Sequence, residues 1–423
     1  MDLITAVKGF KDILPDETGR WQYVEEQARK IFTAFGCREI RVPILERTEL
    51  FTRGIGTGTD IVEKEMYTFR DRGEEYVTLR PEATASIIRA YLEHHLHAYD
   101  QVAKLYTIGP MFRRERPQKG RYRQFHQIDV EVLGYDDPRV DAEVIFMLIH
   151  FLKCAGLEEP RLEINSLGCP SCRPAYRESI RGFLAGKEEE LCADCVRRLD
   201  TNPLRILDCK LEGCREIVLR APVIADFLCG ACRDHFEAVR SSLDALDVPY
   251  TLNPRMVRGL DYYTRTTFEV TTDYLGAQNA VVGGGRYDGL IRDLGGPDIP
   301  GIGFAVGFER LLTLTAATGQ DRSSSGPALF IAALGTTAQQ LAYRLCNHLR
   351  VRGHWTEMDY QGRGLKSQMK RADKLSCRRV LIIGDREMES RQAELRDMIT
   401  GEQVRVSLAD ASAWEKLLSR EKN

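Results

Sequence analysis

The spacing of apolar residues predicts helices and short strands in the first hundred residues. Apolar side chains three or four positions apart predict an amphipathic helix over residues 17–36, which Gly36 ends. These side chains are Trp21, Val24, Ala28, Ile31, Phe32 and Phe35. The run through Phe51 is strand-like around Pro43, which suits an edge strand or a meeting point of two sheets or subunits. Two more short strands and the turn Arg80–Thr84 precede a helix predicted from about Ala85.

Residues 104–134 predict an antiparallel hairpin whose loop, RRERPQKGRYR, is rich in arginine. The second strand alternates, so one of its faces is polar and the other is apolar. Its polar face carries Phe125, Gln127, Asp129 and Glu131. Arginine grips phosphate in two places, and aligned carboxylates suit a small ligand with an ammonium group. The hairpin is therefore a candidate site for a polyphosphate and an amine, whereas the loop taken alone would suit an ordinary solvated turn.

Eight of the twelve cysteines follow a predicted helix over residues 139–156. They form CPSC, CADC, CKLEGC and CGAC, and are Cys169, Cys172, Cys192, Cys195, Cys209, Cys214, Cys229 and Cys232. Because a C-x2-C turn points both thiolates at one metal ion, the spacing predicts two structural zinc sites of four cysteines each, with the pairing open. The alternative is a helical insertion with incidental cysteines.

Strand-like segments then return, and they carry further candidate ligand-binding residues. MVRGLDYYTRTTFEV places Arg258, Tyr262 and Tyr263 around a glycine, and GGGRYDG is a glycine-rich turn that admits close backbone approach. GIGFAVGFERL predicts a strand entering a helix that begins with Glu309 and Arg310. An arginine at this position can stack on a flat ring or reach an anion, although a lone arginine is more often solvated.

Beyond a linker over residues 316–327, strands and helices alternate as in a small α/β domain with a parallel-rich sheet and a terminal helix. Residues 327–423 hold 17 basic and 12 acidic residues, a net charge of +5, against −2 for the whole chain. Leu365, Met369, Ala372 and Leu375 predict the buried face of one helix. Its opposite face carries Lys366, Lys370, Lys374 and Arg378. Such a stripe suits either a solvated face or a nucleic-acid contact.

Length and composition limit the class of protein. A chain of 423 residues with 43% hydrophobic content suits two to four domains, and the balanced charge does not indicate a general attraction to nucleic acid. No segment has the apolar length of a signal peptide or a membrane span, so we expect a cytoplasmic protein without a membrane partner. Clustered cysteines in such a protein are better interpreted as metal ligands than as disulfides.

Taken together, these segments resemble class II aminoacyl-tRNA synthetases, and among them the bacterial-type histidyl-tRNA synthetases. VKGFKDILP is similar to the N-terminal signature of that family, REIRVPILE to motif 1, FRRERPQKGRYRQFHQIDVEVLG to motif 2 and GIGFAVGFERL to motif 3. MVRGLDYYTRTTFEV resembles the block peculiar to histidyl enzymes. TLRPEAT resembles the family's TLRPEGT loop, with Ala83 where glycine is usual.

The resemblance implies an α+β catalytic domain with an antiparallel sheet over residues 1–320, with a cysteine-rich helical insertion at about 167–240. A linker over 321–327 and an α/β anticodon-binding domain over 328–423 would follow. The implied reaction activates L-histidine with ATP and Mg²⁺ and transfers it to tRNA(His), releasing AMP and diphosphate. Motif 1 implies a homodimer, and Lys366, Lys370 and Lys374 are candidate tRNA contacts.

The resemblance also implies residue roles at the ATP end of the site. Arg113 would hold the α-phosphate and stabilise charge during attack, and Arg121 would take the outer phosphates. Glu115 would bind the adenine edge, and Phe125 and Arg310 would sandwich the adenine ring. These five residues are the candidate ATP-binding set.

At the amino-acid end, the implied histidine-binding residues are Glu82, Thr84, Arg113, Gln127, Glu131, Arg258, Tyr262 and Tyr263. The two tyrosines would line the imidazole pocket. Arg258 would lie at the α-phosphate opposite Arg113, where related synthetases place a metal ion, so these two arginines are the implied catalytic residues. Two fixed positive charges suit an attack by a carboxylate that is already ionised.

Two other functions compete with this interpretation. A catalytically inactive, histidine-sensing paralogue, such as the regulatory subunit of ATP phosphoribosyltransferase, would share the body but lack the anticodon domain and tend to lose motif arginines. The chain keeps Arg113, Arg258 and Arg310, together with a basic C-terminal segment. A zinc-ribbon nucleic-acid adaptor would explain the cysteines and leave the hairpin without a role.

Overall fold

A computed structural model describes residues 3–100, 102–117, 120–272, 280–315 and 326–409. These residues form three sheets, of eight, five and three strands. The chain divides into two compact units. The larger unit contains the eight-stranded and three-stranded sheets, and the smaller unit contains the five-stranded sheet.

The eight-stranded sheet is antiparallel except at its two edges. Its strands are β1 (Arg38–Glu39), β5 (Ala103–Phe112), β6 (Gln124–Leu133), β7 (Arg161–Ser166), β8 (Thr251–Leu252), β9 (Thr264–Thr271), β10 (Ala280–Arg286) and β11 (Gly301–Gly307). They lie in the order β1-β5-β6-β11-β10-β9-β7-β8, with parallel pairs β1–β5 and β7–β8. The predicted hairpin is β5 and β6, and the predicted antiparallel sheet is confirmed.

The larger unit also contains helices, some of which pack on this sheet while others form a separate insertion. They are α1 (Pro15–Ala34), α2 (Thr48–Ile55), α3 (Thr84–Glu93), α4 (Leu96–Tyr99), α5 (Pro138–Cys154), α6 (Arg173–Leu184), α7 (Ala193–Thr201), α8 (Glu212–Val218), α9 (Gly230–Ala245), α10 (Leu290–Asp293) and α11 (Phe308–Thr315), with a π-helical turn at Ile61–Glu65. The predicted helices near residues 17–36, 85 and 139–156 correspond to α1, α3 and α5.

The alternation along β6 decides which side of the sheet becomes core. Ile128, Val130 and Val132 are buried in a cluster with Phe32 of α1 and Leu148 of α5. The predicted polar face therefore points away from this core, because successive side chains of a strand project to opposite sides. That opposite side carries the candidate site.

The strand-like run around Pro43 crosses between two sheets, and its end is a helix. β1 belongs to the large sheet, whereas β2 (Leu45–Arg47) joins β3 (Tyr67–Arg70) and β4 (Tyr76–Leu79) in the three-stranded sheet. The prediction of extended chain through Phe51 is wrong, because Thr48–Ile55 forms α2. Phe51 and Ile55 are both fully buried at helical spacing, and their packing determines the local structure.

The cysteine-rich segment forms a helical insertion between β7 and β8. It consists of α6 to α9 and three short 3-10 helices at Glu188–Glu190, Pro203–Asp208 and Ile224–Phe227. Five of its eight cysteines are buried and pack with aliphatic side chains in a core of the insertion's own. All twelve cysteines of the chain lie in the described ranges and are free thiols.

The smaller unit is an α/β structure with a mixed sheet. It contains β12 (Leu329–Ala333), α12 (Thr336–Val351), β13 (Thr356–Met358), α13 (Leu365–Lys374), β14 (Arg379–Ile383), α14 (Asp385–Ser390), β15 (Gln392–Asp397) and β16 (Gln403–Ser407). β13, β12 and β14 are parallel, as predicted, while β14, β15 and β16 are antiparallel. The predicted terminal helix and most of the predicted linker lie outside the described residues.

Candidate active site

One pocket on the polar side of the large sheet brings the predicted residues of the larger unit together. The predicted residues that line it are Glu82, Thr84, Arg113, Glu115, Arg121, Phe125, Gln127, Glu131, Arg258, Tyr262, Tyr263 and Arg310. They come from the turn before α3, from the β5–β6 hairpin, from the segment before β9 and from α11. Segments more than two hundred residues apart in sequence thus meet at one site.

Buried carboxylates occupy one end of the pocket. Glu82 is 3% exposed and accepts hydrogen bonds from the backbone amides of Thr84 (2.8 Å) and Ala85 (3.0 Å) at the start of α3. Glu131 is 1% exposed and accepts a 2.6 Å hydrogen bond from the Thr84 hydroxyl and another from the Tyr287 hydroxyl. Burial raises the pKa of Glu131 to about 8, although both hydroxyls favour its ionised form.

Asp129 is a third carboxylate at this end. It is 1% exposed, lines the pocket, and finds no hydrogen-bond partner for either carboxylate oxygen among the described residues. Burial, followed by the negative charges of Glu131 and Glu82, raises its pKa well above the usual range. The amide oxygen of Gln127, at the next pocket-facing position of β6, is likewise without a partner in the described structure. Buried polar atoms in this state favour a bound ligand that supplies donors.

Arginines occupy the other end of the pocket. Arg113 donates from Nε to the carbonyl oxygen of Pro81 at 2.9 Å, and its guanidinium lies 5.1 Å from the centre of the Phe125 ring. Glu115 forms an ion pair with Arg121. Burial, together with the nearby positive charge of Arg121, lowers the pKa of Arg310 to about 10, so Arg310 remains charged at neutral pH. Several half-buried cations that face one cavity favour an anion.

Arg258 reaches the pocket from the irregular segment before β9. Its guanidinium pairs with Glu269 of β9 and lies 5.4 Å from the centre of the Tyr263 ring. A side chain at Gly283 of β10 would collide with this guanidinium, and a side chain at Gly303 of β11 would collide with the Glu131 carboxylate. These glycines therefore leave space for charged side chains of the site, which explains two glycines in the sequence motifs.

The alanine in the TLRPEAT loop fits its position without strain. Ala83 has φ −105°, which is open to any residue, and its side chain is fully buried. The loop therefore needs a small residue here and does not need a left-handed backbone.

The sequence predictions did not assign every residue that lines the pocket, and the unassigned residues include Asp129, Glu269 and Tyr287. Asp129 lies on the strand face that was already predicted to be polar, so the alternation along β6 could have identified it as a site residue. Tyr287 follows the buried Arg286 in GGGRYDG, and its hydroxyl contact with Glu131 depends on folding. Glu269 lies in an ordinary alternating strand, and only its pairing with Arg258 marks it.

The insertion brings its eight cysteines into two clusters. Cys169 and Cys172 join Cys229 and Cys232, while Cys192 and Cys195 join Cys209 and Cys214. The pairing is therefore nested: the outer two motifs form one cluster and the inner two form the other. All sulfurs of a cluster lie within 4.8 Å of one another.

The sulfur spacing in both clusters fits a tetrahedral metal ion. The Sγ–Sγ distances are 3.6 Å for Cys169–Cys172, 4.0 Å for Cys169–Cys229 and 3.9 Å for Cys192–Cys209. Zn–S bonds of about 2.3 Å in a tetrahedron place sulfurs roughly 3.8 Å apart. The backbone amides of Cys192 and Cys229 each donate to a cluster sulfur at 3.2 Å, which stabilises thiolates.

Three residues of the predicted basic stripe, Lys366, Lys370 and Lys374, lie on α13 of the smaller unit. The prediction that Arg378 continues the stripe is wrong, because α13 ends at Lys374 and Arg378 lies directly before β14. Lys366, Lys370 and Lys374 are all exposed, whereas Ala372 is buried. Gln368 is also buried, because its side chain bonds both the amide and the carbonyl of Ala333 on β12. The stripe is thus a continuous cationic surface on a helix that is held firmly to its sheet.

A sheet with an arginine end and a carboxylate end on one face is the arrangement expected of a class II aminoacyl-tRNA synthetase. The family profile described as histidyl-tRNA synthetase matches residues 9–311, and the profile described as anticodon binding domain matches residues 328–417. The chain belongs to the histidyl-tRNA synthetase family.

Individual relatives match over nearly the whole length of the chain. A histidine–tRNA ligase of Geobacter metallireducens is 60% identical over 96% of this chain and 98% of its own length. One of Geobacter sulfurreducens is 58% identical over the same shares. Among solved structures, the apo histidyl-tRNA synthetase of S. aureus matches all of both chains with a TM-score of 0.81 at 39% identity.

Proposed function

We propose that this protein is a histidine–tRNA ligase that forms histidyl-adenylate from L-histidine and ATP and then transfers the histidyl group to tRNA(His). The observation that carries the proposal is the single pocket in which a buried carboxylate end meets an arginine end. An amino acid with an ammonium group fits the first end and a triphosphate fits the second. The carboxylate of the amino acid then lies between them, beside the α-phosphate.

The carboxylate end selects histidine. Glu131 accepts an imidazole N–H while Thr84 and Tyr287 hold its carboxylate in place, and Tyr262 and Tyr263 line the ring. A site that hydrogen-bonds the ring rejects amino acids without such donors far more strongly than a purely apolar pocket would, since a methylene is worth only about 1–3 kcal/mol. Polar selection of this kind explains why so many charged groups are buried.

The ammonium group of the substrate is held by the remaining polar groups of this end. Glu82 is fixed by the amides at the start of α3, and Gln127 and Asp129 present oxygens that have no partner among the described residues. The positive charge of the ammonium offsets the repulsion between neighbouring carboxylates. Histidine binding therefore relieves an unfavourable charge distribution in the protein itself.

The arginine end binds ATP and stabilises the transition state. Phe125 and Arg310 enclose the adenine, Glu115 accepts from its amino group, and Arg121 binds the outer phosphates. Arg113 and Arg258 hold the α-phosphate from two sides while the histidine carboxylate attacks and diphosphate leaves. The attacking group is already ionised, so positioning and positive charge matter more than a proton acceptor.

ATP binding exchanges internal ion pairs for contacts with the nucleotide. Without ligand, Arg121 pairs with Glu115 and Arg258 pairs with Glu269. These carboxylates keep the arginines in place before phosphate arrives, and adenine and phosphates then take over their partners. Mg²⁺ would accompany the outer phosphates, where it adds positive charge and orients the leaving diphosphate.

The smaller unit supplies the tRNA contact in this proposal. Residues 328–423 form the anticodon-binding domain, and Lys366, Lys370 and Lys374 contact phosphates of the tRNA. The protein acts in the cytoplasm as a homodimer joined through the region around Pro43. Within the part of the chain that the structure describes, no helix has the length and apolar character needed to cross a membrane.

The two cysteine clusters each bind one structural Zn²⁺. Four thiolates complete the coordination of zinc and leave no open position for water, so the metal holds the insertion together and takes no part in the reaction. The sulfur distances of 3.6–4.0 Å support this assignment.

The inactive, histidine-sensing paralogue has less support. Arg113, Arg258 and Arg310 all line the pocket, and an anticodon-binding domain profile covers residues 328–417. Charging of tRNA separates the two functions. We expect the purified protein to attach radiolabelled histidine to a tRNA(His) transcript with ATP, and Arg258→Ala to be the inactive control. Tight histidine binding without any charging would instead identify a sensor.

A further inference from the structure

The segment that carries Arg258 and Tyr263 depends on other parts of the chain for its shape. Residues 253–263, between β8 and β9, form turns and irregular backbone. Carbonyl groups in such a segment lack the neighbours that a sheet would provide, so side chains or water must satisfy them. The elements that donate to this segment therefore determine where the Arg258 guanidinium points.

The helical insertion supplies three of these donors. Arg205 donates from Nη1 to the carbonyl oxygen of Arg258 at 2.7 Å. Asn202 donates from Nδ2 to the Asp261 carboxylate at 3.0 Å. Arg173 donates to the carbonyl oxygen of Tyr263. The insertion thus contacts the second half of the segment, residues 258–263, at its beginning, its middle and its end.

Each donor lies close to a cysteine cluster. Arg173 follows Cys172 directly, at the start of α6. Asn202 and Arg205 lie between Cys195 and Cys209, on and beside the short helix Pro203–Asp208. A metal ion that fixes these cysteines also fixes the chain from which the three donors project.

Further contacts join the insertion to the segment and to the rest of the larger unit. Arg205 is only 11% exposed and also lies 3.5 Å from the Asp60 carboxylate, which Arg198 of α7 approaches at 2.9 Å. In return, Arg255 of the segment donates from Nε to the carbonyl oxygen of Val218, at the end of α8, at 2.8 Å. The insertion is therefore attached to the catalytic body by charged contacts on both sides of the segment.

We propose that the cysteine insertion positions the active site: its metal-bound clusters hold Arg173, Asn202 and Arg205, which fix residues 258–263 and thereby aim Arg258 at the α-phosphate. Arg205 is a positioning residue that acts through Arg258. This inference rests on the proposed ligase function. The insertion is then required for fast adenylate formation, in addition to any contribution to stability.

The test compares Arg205→Ala with a matched control in histidine-dependent exchange of pyrophosphate into ATP. Arg181→Ala is the control, because Arg181 also donates to two backbone carbonyls, of Leu199 and Asp200, but these lie within the insertion. We expect Arg205→Ala to lower kcat at least tenfold with unchanged zinc content, because small misplacements of reacting groups are costly. Arg205→Lys, which keeps a donor, should recover part of the loss.

A double variant shows whether Arg205 acts through Arg258. If it does, Arg205→Ala combined with Arg258→Ala is no slower than Arg258→Ala alone. Losses that multiply would overturn the proposal, as would near-normal kcat in Arg205→Ala. If Arg205→Ala fails to fold, Asn202→Ala provides the second measurement, with a smaller loss of kcat expected and wild-type kcat contradicting the proposal. Wild-type protein without any histidine-dependent exchange would contradict the ligase function instead.

Discussion

The substrate pocket and the cysteine insertion are both built from polar groups withdrawn from water, but different partners complete them. In the pocket, Asp129 and Gln127 keep oxygens without partners among the described residues, while Arg258 and Arg121 pair with neighbouring carboxylates. In the insertion, the four sulfurs of each cluster lie within 4.8 Å of one another. In our proposal, substrates that bind and leave complete the pocket, and a permanently bound zinc ion completes each cysteine cluster.

This difference distinguishes the pocket, which takes part in the reaction, from the insertion, which has a structural role. The pocket lies on a sheet whose other side packs against a large apolar core, which supports the strands that carry the site. The insertion has a small core, made largely around its own cysteines. A small core of this kind needs additional stabilisation, and the proposed structural zinc ions would provide it. Changes in the pocket should therefore affect the reaction, and changes in a cluster should affect both structure and reaction.

The largest effect is expected for Arg258→Ala. Loss of a preorganised positive group that faces the reacting phosphate lowers a rate by about 10²–10³-fold. We expect this loss in pyrophosphate exchange, while calorimetric histidine binding and zinc content stay near wild type. Near-normal exchange would remove Arg258 from the chemistry.

The next effect is expected for Cys195→Ser. Cys195 is fully buried in the inner cluster, and structural zinc sites carry apparent binding free energies of roughly 10–16 kcal/mol. We expect metal analysis to find one zinc per chain in place of two, together with a lower melting temperature. Cys154→Ser is the control, because Cys154 lies on α5, outside both clusters. Equal metal content in both variants would contradict the two-site assignment.

Histidine affinity should depend on pH through Glu131. Its pKa is raised to about 8 without ligand, and binding favours the ionised form, so a proton must be lost below that pH. The dissociation constant should therefore fall as pH rises from 7 to 8.5, by up to about tenfold per unit at the lower end. Calorimetry in two buffers should detect proton release at pH 7.

The variant Glu131→Gln cannot lose this proton, so it distinguishes the titration of Glu131 from the titration of histidine itself. The variant should bind histidine more weakly and should lose the part of the pH dependence that is due to the protein. A dependence equal to that of the wild type would assign the titration to a group other than Glu131, either the ligand or Asp129.

A smaller effect is expected for Asp129→Asn. The substitution keeps the shape of the side chain and removes one negative charge near the ammonium of the substrate. We expect histidine affinity to fall several-fold, and affinity for 3-(imidazol-4-yl)propionate, which lacks the ammonium, to remain unchanged or rise. An equal loss for both ligands would show that Asp129 supports the fold of the pocket.

The smallest effect is expected on the surface of the smaller unit. Reversing Lys366 and Lys370 to Glu should raise the KM for tRNA several-fold, more strongly at low salt, because phosphate contacts are electrostatic. Histidine-dependent pyrophosphate exchange should not change. Arg386→Glu, on the exposed side of α14, is the control. Slower exchange in the lysine variant would contradict a separate tRNA module.

Much of the fold was predictable because the sequence patterns agree with the packing. Alternation along β6 correctly separated the buried Ile128 and Val130 from the pocket-facing Gln127 and Glu131. The run through Phe51 was misassigned, because its helical packing at Phe51 and Ile55 depends on the neighbouring α3. The mixed sheet of the smaller unit was incompletely predicted, because β15 lies in a charged segment whose alternation rests on two apolar residues, Ala393 and Leu395.

The site was predictable where charged residues lie in continuous motifs. Pairings between distant segments could not be deduced, such as Tyr287 with Glu131 or Arg258 with Glu269. The same limit applied to the cysteines, whose spacing predicts metal ligands while only folding brings the outer and inner motifs into separate clusters. Contacts between segments that are far apart in sequence form only when the chain folds, so local sequence patterns do not reveal them.

The most direct test of the central claim is exchange of pyrophosphate into ATP with each of the twenty amino acids in turn. The pocket described above predicts exchange with histidine and no exchange above background with the other nineteen. Exchange with another amino acid would contradict the assignment of Glu131, Thr84 and Tyr287 to imidazole recognition. Absence of exchange with all twenty, in protein that still binds histidine, would contradict catalysis itself.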